Sequence, residues 1–306
     1  MKNLKKAILA IICAAIIGSG YWYYLVSSYE SEMGTSNTFV VVDDESLISN
    51  GTNDRLLSIE FDSGEDQLEW AFTSVSLSQG EDVYDCTLGG LSSIHQQPGL
   101  VQTKLNADGL TFTMSVDATS ESSFTKISLS NMTESNVSDF SLRFSKTDIF
   151  LADNLSWLLV EDVEFNQLTH VPTGNFSNDT STRLEWYEYD FSTHRVKPLE
   201  QIYIIDDGST IYKVQFVNYY NEADESRHIT FLASRLAGAP IPAISDPNLV
   251  QASPCIIIDD DLFWSPSETI EIQENGFSIC QFSCQLKIAV TYENTKVTGT
   301  ESIELN

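Results

Sequence analysis

His194 sits in the stretch W-Y-E-Y-D-F-S-T-H-R-V-K-P, residues 186–198 of a 306-residue chain with only four histidines. A neutral imidazole offered from a turn is a metal ligand or a general base, whereas one held between strands is merely polar filling. Asp190-Phe191-Ser192-Thr193 before it reads as a turn, and Pro198 follows it. That places the ring at the end of a predicted hairpin, within reach of a metal. Other catalytic patterns are absent from the sequence: no G-x-S-x-G, no H-E-x-x-H and no glycine loop that would cradle phosphate. Carboxylates are abundant, but nothing singles out a glycosidase-like pair. The sequence therefore reads as a non-catalytic protein.

Charge narrows the partners. Forty-four acidic residues against 16 basic ones give a net charge of -28. Such a surface repels phosphate backbones and argues against nucleic acid. The cluster Asp259, Asp260 and Asp261 lacks the order of a calcium-binding loop, so the acidity reads as a solubilising surface for a salty or extracellular medium.

Lys2, Lys5 and Lys6 precede a charge-free run from Ala7 to Val26. Twenty residues at about 1.5 Å each span about 30 Å, the thickness of a bilayer core. The lysines before it and the acidic residues after it orient the amino terminus to the cytoplasm. Tyr21, Trp22, Tyr23 and Tyr24 suit the outer interface. Residues 1–27 are expected to be a transmembrane anchor, with a cleaved signal segment as the competing reading, and the chain is expected at the cell surface. Export leaves Cys86, Cys255, Cys280 and Cys284 in an oxidising compartment, where two disulfides are expected, with connectivity open. N-x-[ST] sequons begin at Asn50, Asn131, Asn136, Asn154, Asn175 and Asn178.

Beyond residue 27 short alternating apolar runs bounded by Gly, Asn, Asp and Ser predict an all-β protein. A polar tether and a small β module are expected over 28–109, a larger β domain over 110–236, and a Pro-rich linker with a C-terminal β module over 237–306. Leu68, Trp70 and Cys86 share their spacing with Leu262, Trp264 and Cys280. Two small sandwich-like modules, immunoglobulin-like in type, or one sandwich whose halves flank an insertion would both produce that repeat. Asp207-Gly208 predicts a hairpin. After it Tyr212, Val214 and Phe216 should face one way and Lys213, Gln215 and Val217 the other, both partly apolar, as in a central strand.

The blocks D-F-S-L-R-F, L-T-H-V-P, W-Y-E-Y-D-F-S-T-H-R-V-K-P, I-Y-K-V-Q-F-V-N-Y-Y and H-I-T-F-L, in this order over about residues 110–236, resemble the HmuY family of surface-exposed haem-binding proteins. The resemblance implies an all-β fold whose loops and strand ends grip a haem through two axial side chains, in a protein of haem or iron capture whose partner is haem or a haem carrier. His194, His228 and His170 are then the candidate ligands, any two of them converging on the iron, with His194 and His228 foremost. His228 shares a face with Thr230, opposite Ile229 and Phe231, and His170 lies in a loop. Met132, also placed in a loop, is a further candidate, and His95 reads as a surface residue. The propionates would need cations in so acidic a chain, and Arg195, Lys197, Arg183 and Arg227 lie near in sequence. Tyr187, Tyr189, Tyr219 and Tyr220 could supply apolar walls. The alternative is a structural or adhesive surface module that keeps the fold without haem and meets other surface proteins.

Overall fold

The computed structural model describes residues 6, 16–24, 37–43, 57–61, 70–79, 82–95, 97–135, 139–253, 255–258, 270–274, 286–294 and 297–305. In the N-terminal part run β1 (Asn37–Asp43), β2 (Leu57–Phe61), β3 (Thr73–Gln79), β4 (Asp82–Cys86) and β5 (Leu91–Ser93). The central part holds β6 (Val101–Leu105), β7 (Thr111–Asp117), β8 (Thr125–Ser128), β9 (Thr133–Glu134), β10 (Leu142–Ser145) and β11 (Asp148–Leu151). It continues with β12 (Ser156–Glu161), β13 (Tyr187–Asp190), β14 (Arg195–Pro198), β15 (Gln201–Asp206), β16 (Thr210–Tyr220) and β17 (Ser226–Gly238). Last come β18 (Val250–Ala252), β19 (Cys255–Ile258), β20 (Ile270–Glu274), β21 (Leu286–Asn294) and β22 (Val297–Leu305). The all-β expectation is met.

Six strands in the order β12-β15-β16-β17-β7-β6 form the main sheet. Its inner strands are buried on both faces, which explains why Q-I-Y-I-I and I-T-F-L-A carry apolar residues at consecutive positions. Phe112, Met114, Val116, Val214, Phe216 and Phe231 project from one face. Against them pack Ile127, Leu142, Phe144 and Ile149 of a four-stranded sheet ordered β11-β10-β8-β9. Phe144 and Phe231 stack between the two layers at 5.7 Å and 14°. Both are fully buried, so truncating either to alanine should cost about 3–5 kcal/mol. The other face of the main sheet is covered by Phe165 and Leu168 from the β12–β13 connection, packed on Ile202, Ile204 and Leu232.

The β16 alternation falls as expected: Tyr212, Val214 and Phe216 join the larger core, while Lys213 meets Phe165 across the sheet. The Asp207 turn is also as expected. Gly208 is left-handed at φ +87°, and Asp207 Oδ1 accepts from the Ser209 and Thr210 amides at 2.8 and 2.7 Å.

Two expected boundaries move. β6 pairs along its length with β7, so a division at residue 109 would cut a hairpin of the main sheet. Nor is the proline-rich stretch after Gly238 a linker. Ile241, Ala243, Leu249 and Val250 are buried in the larger core, and β18 pairs with β5. Its prolines fix φ for a short 3-10 turn, Pro242–Ser245, whose apolar side chains find the core.

The flanking segments do not separate into two modules. β1 pairs antiparallel with β21 and parallel with β3, within a five-stranded sheet β22-β21-β1-β3-β4. β2 pairs parallel with β19 and antiparallel with β20. Both sheets draw on both ends of the chain, the arrangement of one unit whose halves flank an insertion. Trp70 is buried, and Cys86 is buried and disulfide-bonded. Leu68, Leu262, Trp264, Cys280, Cys284 and Asp259 to Asp261 lie outside the described residues, as does the side chain of Cys255.

Residues 16–24 are helical. Among the described residues no helix is long and apolar enough to cross a membrane; residues 7–15, 25 and 26 of the expected span lie outside them.

Candidate functional site

β13 and β14 form a two-stranded hairpin in which Asp190 faces Arg195. Its turn is built by Asp190, whose Oδ1 accepts from the Ser192 amide at 2.7 Å and the Ser192 hydroxyl at 2.6 Å. These bonds to the charged form hold the Asp190 carboxyl well below the usual carboxylate range, with Lys197 Nζ at 3.3 Å assisting. His194 closes the turn at φ +57°, a left-handed conformation uncommon outside glycine. The geometry throws its imidazole outward, exposed, at the hairpin end expected for it.

The His194 Nδ1 lies 3.2 Å from the Tyr189 hydroxyl. That bond orients the ring and leaves Nε2 as the nitrogen for a ligand. Tyr189 and Phe191, both exposed, meet edge to face at 5.0 Å, and the Trp22 ring of the N-terminal helix lies 5.4 Å from the His194 ring. The exposed aromatic surface here is therefore Trp22, Tyr189 and Phe191.

The other tyrosines named from the sequence are structural. Tyr187 and Tyr219 pack on the buried Trp186 ring at 5.1 and 6.1 Å. Tyr220 lies under the Arg195 guanidinium at 3.8 Å and accepts from the Val196 amide at 3.1 Å. They anchor the hairpin rather than line a pocket.

His228, half-buried at the start of β17, has its Nδ1 3.2 Å from the Glu225 and Ser226 carbonyls. In the tautomer that donates from Nδ1, its Nε2 also remains for a ligand. Arg195 reaches Asp224 in the turn just before β17, so His194 and His228 belong to the same end of the molecule. His170 does not join them. It follows Leu168, which packs on the opposite face of the main sheet from Trp186 and Val196, and its Nδ1 is 2.8 Å from Thr169 Oγ1. Of the three candidate histidines, His170 is thus separated from His194 and His228 by the main sheet.

Met132 is corrected as a ligand. Although left-handed at φ +50° in a turn, it is 0 % exposed within the larger core, where its thioether fills space. His95 is exposed as expected, but its Nε2 lies 3.3 Å from the buried Asp85 carboxylate, which Lys104 also approaches at 3.4 Å. No local sequence pattern signals that pairing, since ten residues separate the partners.

The cations expected to meet propionates are each committed to a carboxylate. Arg195 pairs with Asp224, Arg183 with Asp148 and Glu185, Arg227 with Glu121, and Lys197 with Asp190. Lys126 and Arg143 instead lie over the rings of Phe140, Phe124 and Phe150. Among the described residues no group of three or more His, Cys, Asp or Glu is placed to hold a metal ion. A six-coordinate porphyrin iron needs only two axial side chains. His194 and His228 would be the residues to hold such a group, each through Nε2, whereas the paired cations would leave its propionates facing solvent.

No family model and no curated protein matches the chain. Solved structures do. A candidate lipoprotein from Bacteroides fragilis is similar at 17% identity over 43% of this chain and 92% of its own, with a TM-score of 0.36. An apo HmuY analog from Tannerella forsythia is similar at 12% identity over 46% of this chain and 98% of its own, TM-score 0.35. A candidate HmuY-like haem-binding protein from Bacteroides vulgatus is similar at 15% identity over 41% of this chain and 92% of its own, TM-score 0.34. Two of these similar structures are themselves described as an HmuY analog and an HmuY-like haem-binding protein.

Proposed function

We propose that this chain is a non-catalytic, haem-binding cell-surface protein, held at the membrane by its N-terminal apolar run, with the β13–β14 hairpin as its haem contact. The observation that carries the reading is His194: exposed, left-handed, oriented through Nδ1 by Tyr189 and flanked by the Tyr189 and Phe191 rings. Bound haem would supply an iron open to axial nitrogen and a flat apolar macrocycle. His194 would offer Nε2, the Tyr189 and Trp22 rings beside it faces for the macrocycle, and His228 at the same end the second ligand. Haem capture, from free haem or a haem carrier, is the role this arrangement suits.

The test is titration of haem into the detergent-solubilised full chain. A saturable shift of the Soret band is expected, and His194→Ala should weaken binding or change the iron's spin state. If wild-type protein takes up no haem under oxidising or reducing conditions, the reading fails. A second reading, an interaction module of the surface without haem, is favoured by one observation: Arg183, Arg195, Lys197 and Arg227 are all paired internally with carboxylates.

A further inference from the structure

We propose that the tip of the β13–β14 hairpin rests in the lipid–water boundary of the bilayer, with Phe191 as the inserted side chain. The inference rests on the membrane-anchor reading above and adds to it how the β domain is seated.

Helical residues 16–24 expose Ile16, Ile17, Tyr21, Tyr23 and Tyr24, so this segment is apolar all round. A helix of that kind is covered by lipid or by a protein core, and no core among the described residues covers it. Its Trp22 touches His194 at 5.4 Å, His194 lies 6.2 Å from Tyr189, and Tyr189 lies 5.0 Å from Phe191. Ring contacts therefore run without a break from the helix to the hairpin tip. Whatever solvent covers the helix end also meets the tip. Tryptophan and tyrosine favour the headgroup level, and Phe191, 80 % exposed, is the most exposed large apolar side chain among the described residues.

That exposure is built in, not frayed. Asp190 fixes the turn through the Ser192 amide and hydroxyl, and the Arg195–Asp224 pair fixes its base. Asp190 faces its own turn and Lys197, and the Arg195 side chain is buried, while the Asp224 carboxylate at the hairpin base is 47 % exposed. Glu188 stays exposed. The contact is accordingly aromatic, suited to a zwitterionic bilayer and insensitive to salt. Leu100, whose carbonyl accepts from the Asp117 amide, and Phe124, next to the Thr125 that bonds the Asp117 carbonyl, stand at the same end as His228, whereas Leu110 does not. Leu110 stands at the opposite end of β7 from Asp117, which pairs with His228; seven residues of strand put it about 23 Å away along the sheet.

The full chain is reconstituted without haem into phosphatidylcholine nanodiscs, with a photo-crosslinking phenylalanine analogue at position 191 or, separately, at 110. After irradiation, lipid adducts are sought by mass spectrometry. Adducts at 191, at least tenfold above those at 110 and unchanged by 0.5 M salt, support the proposal. Retention in nanodiscs without adducts at 191 overturns it and leaves the anchor standing. Adducts at 191 to a second protein copy also overturn it, in favour of self-association. A chain that is not retained in nanodiscs overturns both readings.

Discussion

Arg195 grips Asp224 with two donors, Nη1 to Oδ2 at 3.0 Å and Nη2 to Oδ1, and so ties the β13–β14 hairpin to the turn before β17. The guanidinium is 8 % exposed and stacked on Tyr220. A two-pronged pair whose guanidinium is buried, though its carboxylate is half exposed, stabilises more than a fully exposed surface pair. Arg195→Ala and Asp224→Ala should each lower unfolding free energy by about 1–3 kcal/mol, with a positive coupling in the double mutant. Arg195→Lys should not restore it, because an ammonium cannot fork. Chemical denaturation of wild type, the two alanine variants, the double mutant and Arg195→Lys measures this. Additive losses would show that the pair contributes nothing by itself.

The same geometry sorts the histidines. His194→Ala and His228→Ala should each alter the Soret band of the haem-loaded chain, while His170→Ala, across the main sheet, should leave it unchanged. A spectrum changed by His170→Ala and not by His228→Ala would reverse the assignment.

Lys213 predicts a pH dependence of stability. Its Nζ donates to the Phe165 and Leu168 carbonyls at 2.7 and 3.2 Å and lies over the Phe165 ring. Burial pulls the ammonium down to about 8, with the Asp108 carboxylate pulling weakly upward; an exposed lysine titrates at about 10.4. Between those values the unfolded chain holds a proton that the folded chain has released. Unfolding free energy should therefore rise with pH from about 8 to about 10, and below 8 the penalty is constant. Burial raises the Tyr203, Tyr212 and Tyr219 hydroxyls, which ionise first in the unfolded chain and turn the slope downward above about 10. Urea midpoints from pH 7 to 11 should trace this, and Lys213→Met should flatten the rising limb.

Gly208 and Gly238 share φ +87° but not surroundings. Nothing lies within 4 Å of a Cβ added at Gly208, whereas one at Gly238 would strike the Ser209 carbonyl and Thr210 Cα. Gly208→Ala should cost about 1 kcal/mol for backbone strain alone, and Gly238→Ala about 2–4 kcal/mol. Similar thermal midpoints for the two variants would contradict the difference.

For the disulfides, the register predicts the pairing. Thr87 bridges Ile256 in parallel, and the Ile257 amide donates to the Thr87 carbonyl at 3.1 Å. One residue back on each strand stand Cys86 and Cys255. Non-reducing peptide mapping should find Cys86–Cys255 and Cys280–Cys284; a Cys86 peptide joined to either of the latter two would refute it.

Much of the β architecture was legible in local pattern. Alternation around Lys213 revealed a central strand, Asp207-Gly208 a hairpin, and Asp190 to Thr193 the turn that exposes His194, because side-chain period and turn chemistry act over a few residues. The sequons at Asn131, Asn154, Asn175 and Asn178 were likewise compatible with a surface, and those asparagines are exposed.

What only the tertiary structure decided depended on which distant segments met. Arg195 looked available for an anion until Asp224, 29 residues on, took both its donors. Met132 looked like a loop ligand until the two sheets closed over it. Ile241 and Ala243 sat in what composition marked as a linker, yet the core accepted them, and the two chain ends paired strand by strand into shared sheets. The sequence determines what each short segment can bury and where it must turn. Which charges cancel, and which histidines share a face of the sheet, is set by long-range packing, since burial free energy scales with the area that partners remove from water together, not with any residue's neighbours along the chain.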